Sequence, residues 1–259
     1  MRTTANWQIK TPINAIVFDC DGTLSALEGI NELAKYNHVS DKVEKLTAIA
    51  MGHSGINQTI YQERLNLVSP MREHVYALGE AYFSHRVPDV LPVIQLLKRL
   101  NKNIYVVSAG LYPAVVKFAE RLLIPKENVF AIEIEFDETG HYMAFDQTSP
   151  LLKHDGKRDI IKHLKTLHEE IVHVGDGLND IVTYDLVTRF IGFGGIFYRE
   201  NIEKQCKYYI QSPSMTPLLP FILTAEEHHM LTANEQILFN QGLENISQYM
   251  IKETKKEDV

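Results

Sequence analysis

The chain has 259 residues, 45% of them hydrophobic and 23% charged, with a formal charge of −7. This is ordinary globular usage: it excludes disordered and fibrous classes, and the acidic balance lacks the basic footprint of a nucleic-acid binder. Cys20 and Cys206 alone cannot build a disulfide framework or a cysteine-rich zinc site, no apolar run is long enough to span a bilayer, and Met1-Arg-Thr-Thr-Ala-Asn-Trp7 has no secretory signal, so a cytoplasmic protein without membrane partners is expected.

Residues 13–18 form a short apolar, β-branched run that opens into Asp19-Cys20-Asp21-Gly22-Thr23, which predicts a buried strand ending in a turn. Residues 27–85 then hold only helical patterns, at 30–36, 43–51, 57–67 and 70–82. That stretch is too long for one crossover and predicts a small helical cap inserted into the sheet domain. A helix over 90–100 leads to a second strand at 104–107, ending at Ser108-Ala109-Gly110. A helix over 113–122 has Pro113 in its first turn, and alternation across 133–145 around Glu138-Thr139-Gly140 predicts a hairpin. A helix over 157–167 precedes a third strand at 171–174, which ends at Gly175-Asp176-Gly177, and 190–193 reads as a fourth. Strands alternating with helices of this length imply right-handed crossovers and an α/β, doubly wound, mostly parallel sheet. The division is a core of 11–26 and 86–223, a helical cap of 27–85, and a C-terminal helical extension and charged tail of 224–259.

In that extension Thr232-x-x-Glu235 has the form of a capping box, followed by Ile237, Leu238, Leu243, Ile246 and Met250. One helix with a buried apolar face is expected, then a solvated run over 252–258. The helix packs on the core or on a second subunit, which leaves a homodimer open.

In open parallel sheets, ligands bind outside the carboxyl ends of the strands. The first strand delivers Asp19 and Asp21 there, the second Ser108, and the third Asp176 and Asp180, while Gly156-Lys157 opens a helix. Carboxylates, a hydroxyl and a lysine suit a phosphate together with a hard cation. A carboxylate attacks a phosphate dianion only when positive charge neutralises both. Competing motifs fail: Leu151 and Arg158 break a P-loop pattern around Gly156-Lys157, and the adjacent His228-His229 point apart on a helix and read as a solvated pair.

Asp19-Cys-Asp21-Gly-Thr23-Leu24, Ser108-Ala-Gly110, Lys157 and Gly175-Asp176-Gly-Leu-Asn179-Asp180 resemble the four ordered motifs of the haloacid dehalogenase superfamily. Within it, Glu28-Gly-Ile-Asn-Glu-Leu-Ala34, Ala50-Met51-Gly52, Glu63-Arg64-Leu65 and Phe190-Ile-Gly-Phe-Gly-Gly195 are similar to the eukaryotic-type phosphoserine phosphatases, over roughly residues 11–223. The family usually has Ser where Gly22 stands and Gly where Ala109 stands. The resemblance implies a Rossmann-like fold and Mg²⁺-dependent hydrolysis of a small phosphomonoester, O-phosphoserine first, through an aspartyl-phosphate. Asp19 would be the nucleophile and Asp21 the acid and base. Asp19, the Asp21 carbonyl and Asp176 would hold Mg²⁺, with Asp180 orienting its shell. Ser108, Ala109, Gly110 and Lys157 would hold the phosphoryl group. Glu28 would meet the substrate ammonium and Arg64 its carboxylate, with Met51, Gly52, Asn179 and Arg199 around them. Another small phosphomonoester, or phosphoryl transfer to an acceptor alcohol, remains open as an alternative.

Overall fold

In a computed structural model, which describes residues 8–51, 57–248 and 252–253, the chain opens with β1 (Ala15–Phe18), buried throughout. Four helices follow: α1 (Gly29–Tyr36), α2 (Ser40–Met51), α3 (Gln58–Val68) and α4 (Arg72–Ser84). Then come α5 (Val90–Arg99), β2 (Asn103–Leu111), α6 (Tyr112–Arg121) and β3 (Val129–Ile132). The expected hairpin is β4 (Ile134–Phe136) with β5 (Tyr142–Phe145), ahead of α7 (Gly156–Lys165) and β6 (Ile171–Gly175). The one-turn α8 (Leu178–Ile181), β7 (Arg189–Phe193), α9 (Glu200–Glu203) and β8 (Tyr208–Ile210) complete the core. The extension adds α10 (Leu218–Ile222), α11 (Ala225–His229), α12 (Ala233–Gln248) and β9 (Lys252–Glu253).

The sheet runs β3-β2-β1-β6-β7-β8-β9, parallel except for β9. Its six parallel strands, taken in chain order, are arranged 3-2-1-4-5-6, the doubly wound order whose direction reverses beside the first strand. β1, β6 and the middle of β2 are buried on both faces, which is why their sequences are continuous apolar runs and not alternating ones. The two outer parallel strands, β3 and β8, escaped the sequence reading because they are only four and three residues long. β2 also runs further than expected. Its ladder with β3 shifts register between Val107 and Leu111, so Ser108, Ala109 and Gly110 lie in an irregular stretch of strand and not in a turn.

The inserted helices pack on one another, and α4 continues down to lie along α6 of the core. α4 starts later than expected, after an extended Met71, and its first amide, that of Arg72, donates to Gly140 O at 2.8 Å. Tyr61 of α3 meets Phe145 of the hairpin with ring centroids 5.2 Å apart. The cap is thus held from two sides, by a helix and by a hairpin.

The capping box forms as expected: Thr232 N–H donates to Glu235 Oε2 at 2.8 Å, and Glu235 N–H returns to Thr232 Oγ1 at 3.5 Å. The buried face of α12 needs correction. Ile237 is 67% exposed, while Phe239 and Gly242 are buried and Leu238, Leu243 and Ile246 pack part-buried on the core. Asn245 Nδ2 also donates to Thr216 Oγ1 at 2.9 Å, so a polar tether and a close helix approach set the rotation that an aliphatic count misjudged. Met250 lies outside the described residues. Within the run expected to be solvated, the backbone at Lys252 and Glu253 pairs with Tyr209 and Tyr208 at the sheet edge, and the rest of the run lies outside the described residues. His228 is likewise not a solvated residue, for its ring stacks on Phe239 at 4.2 Å. No helix among the described residues is long and apolar enough to cross a membrane.

Beneath the sheet, Lys102 Nζ donates to Ile13 O at 2.8 Å and pairs with Glu227, which also accepts from Thr224 N–H at 3.0 Å. Both side chains are buried but border an open cleft that water can enter. Glu227→Ala strands the Lys102 ammonium and removes the brace of α11. The expected cost is about 1–3 kcal/mol, read as a lower urea midpoint with an unchanged slope. An unchanged midpoint would mean that the extension is not anchored through this pair.

Candidate active site

Strand register brings the site together. Phe18 lies opposite Val106 on one side and Val174 on the other, so the residues that follow on all three strands emerge at one level. Asp19 N–H extends the ladder by one bond, to Val174 O at 2.9 Å. The Cys20 carbonyl then accepts the amides of Thr23, Leu24 and Ser25, folding the chain tightly back. This turn needs Gly22, whose φ is +73° and where a Cβ would fall 2.7 Å from Asp176 Oδ2. Gly175 is needed for a different reason: the Asp180 carboxyl folds over it and occupies the space a side chain would take.

At the centre lies an ammonium between two carboxylates. Lys157 Nζ donates to Asp19 Oδ1 and to Asp180 Oδ1, each at 2.6 Å, and Lys157 is only 1% exposed. Asp180 Oδ2 takes the Gly177 N–H at 3.0 Å. Asp176 is held by Arg199, whose Nε and Nη2 reach Oδ2 at 3.0 and 2.9 Å. Arg199 Nη2 also lies 3.5 Å from Glu28 Oε1, so it bridges core and cap.

Burial resists every charge here, and the partners decide which survive. Burial raises the Asp19 carboxyl well above the usual range, with Asp180 and Asp176 adding to the rise and Lys157 opposing it. It pushes Asp176 up to about 6 against the pull of Arg199. It also works to raise Asp180, but the Lys157 ammonium overcomes it and holds that carboxyl at about 2. Lys157 itself is raised, because Asp180 and Asp19 outweigh its desolvation.

Oxygens of Asp19, Asp176 and Asp180 all come within 4.8 Å of one another. A buried set of hard carboxylate donors fits a divalent cation of the oxygen-seeking class. Both oxygens of Asp180 are already committed, to Lys157 and Gly177, whereas Asp19 Oδ2 and Asp176 Oδ1 accept no hydrogen bond among the described residues. Asp19 and Asp176 are therefore the side chains free to hold such an ion, with Asp180 behind them.

Above this lies a pocket shared by core and cap. Asp21 Oδ2 accepts the Gly29 amide at 2.9 Å, and Oδ1 is buried with no hydrogen-bond partner among the described residues. Burial raises the Asp21 carboxyl, opposed by the Tyr82 hydroxyl and the Gly29 amide. Arg64 is 5% exposed, donates through Nη1 to Thr47 Oγ1 at 3.4 Å, and keeps Nε unpaired among the described residues. Glu28 is raised to about 8, chiefly by burial and then by Asp21 and Asp176. Ser108, Ala109, Gly110 and Asn179 line the same pocket, and Ser108 Oγ accepts the Gly110 amide at 2.9 Å. Gly52 and the side chain of Met51 lie outside the described residues. Thr47 and Tyr82 went unnoticed in the sequence because each falls inside an amphipathic helix pattern with nothing local to mark it.

Lys157→Met removes the ammonium and leaves Asp19 facing Asp180. Near pH 7 this should cost about 3–5 kcal/mol, the usual penalty for breaking a buried pair by removing one partner. Because folding depresses the Asp180 carboxyl, its contribution is present above the ordinary carboxylate range and is lost as pH falls toward about 2. The stability deficit of the variant should therefore shrink between pH 7 and pH 3 in chelator-treated samples. An equal deficit at both would assign it to lost packing.

A family model of haloacid dehalogenase-like hydrolases matches residues 13–183. The phosphoserine phosphatases of Bos taurus and Homo sapiens are each 36% identical over 199 residues, covering 76% of this chain and 88% of theirs. A solved substrate-bound phosphoserine phosphatase complex superposes with a TM-score of 0.71 at 24% identity, over 83% of this chain and all of the other, in agreement on the fold. With paired aspartates on one strand end, a buried lysine and a third acidic strand end in the expected order, the chain belongs to the haloacid dehalogenase-like hydrolase family.

Proposed function

We propose that the chain is a Mg²⁺-dependent phosphomonoester hydrolase that converts O-phosphoserine to serine and phosphate through an aspartyl-phosphate. The observation that carries the substrate reading is Arg64: a buried guanidinium in the cap whose Nε is unpaired among the described residues, lining the pocket that holds Asp19. A planar guanidinium accepts a carboxylate bidentately. Glu28 lies in the same pocket as the counterpart for an ammonium. The names of the related bovine and human enzymes support the same substrate.

One carboxylate oxygen of Asp19 attacks phosphorus as the bond to the serine oxygen breaks, the other being left to the cation, and Asp21 gives the serine oxygen its proton. Asp21 then takes a proton from water as the water oxygen attacks phosphorus and the bond to Asp19 breaks, releasing phosphate. Lys157 and Ser108 hold the transferring oxygens, with the Ala109 and Gly110 backbone beside them. Asn179 and Arg199 flank the substrate, and Met51 and Gly52 are further candidates for lining its pocket. Asp19, the Asp21 carbonyl and Asp176 would hold Mg²⁺, which when bound neutralises charge on the phosphoryl oxygens and the nucleophile. The chemistry belongs to the core of 11–26 and 86–223, and recognition of the amino acid to the cap of 27–85.

Activity should vanish with a chelator and return with Mg²⁺, and Ca²⁺ should restore less because its larger, looser shell misaligns nucleophile and phosphorus. Full turnover in metal-free buffer would rule the cation out.

Arg64→Ala should lower kcat/KM for phosphoserine roughly 10- to 100-fold, the loss of hydrogen bonds to a charged group. Hydrolysis of an aryl phosphate, which has no carboxylate, should change little. Equal losses on both substrates would make Arg64 structural and leave the phosphoserine assignment without its main support. Ala109 lines the pocket where the family usually has glycine, so a panel of small phosphomonoesters on the unmodified protein distinguishes phosphoserine from a neighbouring substrate.

A further inference from the structure

β6 is an apolar strand with one polar residue in its interior, His173, which is fully buried. Residues two apart on a strand share a face, so His173 and Gly175 look the same way, and it is over Gly175 that Asp180 folds. The imidazole therefore lies directly behind the carboxylate that grips Lys157. Its Nε2 lies 3.4 Å from Asp180 Oδ1, a close approach that does not make a formed hydrogen bond and leaves Nε2 buried without another partner among the described residues, and its Nδ1 is 2.6 Å from Thr183 Oγ1. The edge of Phe190 closes the remaining side, with ring centroids 5.5 Å apart.

Hydrogen-bond accounting selects the tautomer. If Nδ1 carried the ring proton, Thr183 Oγ1 would accept it, and the Nε2 lone pair would point at a carboxylate oxygen in a buried site, a repulsion with nothing to relieve it. If Nε2 carries the proton, it is directed at Asp180 and the Thr183 hydroxyl donates to Nδ1. That rotation costs little: the Asp180 carbonyl, the other acceptor within reach of the hydroxyl, already accepts the Thr183 amide at 3.0 Å. Burial pushes the imidazole below its usual range, so one proton has to serve.

We propose that His173, anchored by Thr183, is a positioning residue for phosphoryl transfer: it orients Asp180 through Nε2–H, and Asp180 in turn fixes Lys157 against Asp19. The inference rests on the phosphatase reading above. The chain of contacts runs Thr183, His173, Asp180, Lys157, Asp19, and of these only Asp19 and Lys157 touch the reacting group. Lys157 has three donors on a flexible stem, and two of them are committed at 2.6 Å. Without an immobile Asp180 the ammonium would follow Asp19 and lose its aim at the phosphoryl oxygens.

Three substitutions at His173 separate position from packing. His173→Leu removes both ring nitrogens, His173→Asn keeps an amide near the Nδ1 position, and His173→Gln places an amide N–H near the Nε2 position. With an aryl phosphate as substrate, Leu and Asn should lower kcat roughly 10- to 100-fold, as loss of groups that orient catalytic side chains does, with KM nearly unchanged. Gln should recover most of that loss. Thr183→Val should lower kcat less, and in combination with His173→Leu should add nothing further. Wild-type kcat in His173→Leu, no recovery by Gln, or additive losses with Thr183→Val would each overturn the relay. The ¹⁵N spectrum of the unmodified protein tests the geometry without turnover, and so apart from the functional reading. A proton on the Nε2 of His173 is expected, and an Nε2 without one would overturn the proposal even in an active enzyme.

Discussion

The bond that the site depends on is the shared ammonium of Lys157. Two carboxylates, Asp19 and Asp180, meet at this buried nitrogen, each at 2.6 Å. An unpaired buried ion costs several kcal/mol, so neither carboxylate is tolerated there without the lysine, nor the lysine without both. The adjoining pocket is lined by Asp21, Glu28 and Asp176, and among the described residues Arg64 in its wall and Arg199, paired to Asp176 and Glu28, stand against them. Five carboxyls against three cations leave a surplus of negative charge. Accordingly Asp19, Asp21, Asp176 and Glu28 are all pushed toward holding protons, and only Asp180, beside the lysine, is pulled the other way. A divalent cation held by Asp19 and Asp176 would relieve that surplus without protonating Asp19, whose second oxygen would then stay available for the attack proposed above.

Topology explains why such a cluster exists at all. In the 3-2-1-4-5-6 order the first strand is central, and its neighbours arrive from distant parts of the chain. Asp19, Ser108 and Asp176 are far apart in sequence, but Asp19 and Asp176 follow their strands near the level at which Ser108 lies within β2, because β1 keeps a continuous register with both β2 and β6. The lysine comes from the start of α7, which leads into β6, and the residues directly after β6 supply both Asp176 and, from the one-turn α8, the partner Asp180.

The parts legible in the sequence were those with strong local signals. Central strands read as unbroken apolar runs, the inserted helices as an excess of helical pattern, and the buried acidic cluster as acidic turns in a fixed order. What escaped depends on contacts between distant segments. β3 and β8 are short edge-side strands whose pairing partners define them. The rotation of α12 was judged from Ile237, but Gly242 and the Asn245–Thr216 bond decide which face turns inward. Lys102 and Glu227 look like ordinary surface charges until the fold sets them together. His173 did leave a trace, a polar residue inside a strand buried on both faces, where a polar side chain always requires a partner.

Core and cap are joined by more than packing. The amide that hydrogen-bonds Asp21 belongs to Gly29, the first residue of α1, so the residue assigned to proton transfer is held by the start of the first cap helix. The positive end of that helix dipole favours the ionised carboxylate, while burial favours the protonated one. Arg199 makes the second link, reaching from Asp176 in the core to Glu28, which immediately precedes the same helix. A small displacement of α1 would therefore move the ammonium site, loosen Arg199 from Glu28 and withdraw the Gly29 amide from Asp21 at once. On the proposed assignment of Glu28 and Asp21, recognition of a substrate ammonium and readiness of the acid would be coupled through one helix terminus, since both depend on where α1 begins. A substrate that left α1 displaced would then meet an acid lacking one of its hydrogen bonds, so selectivity would bear on the chemical step as well as on binding.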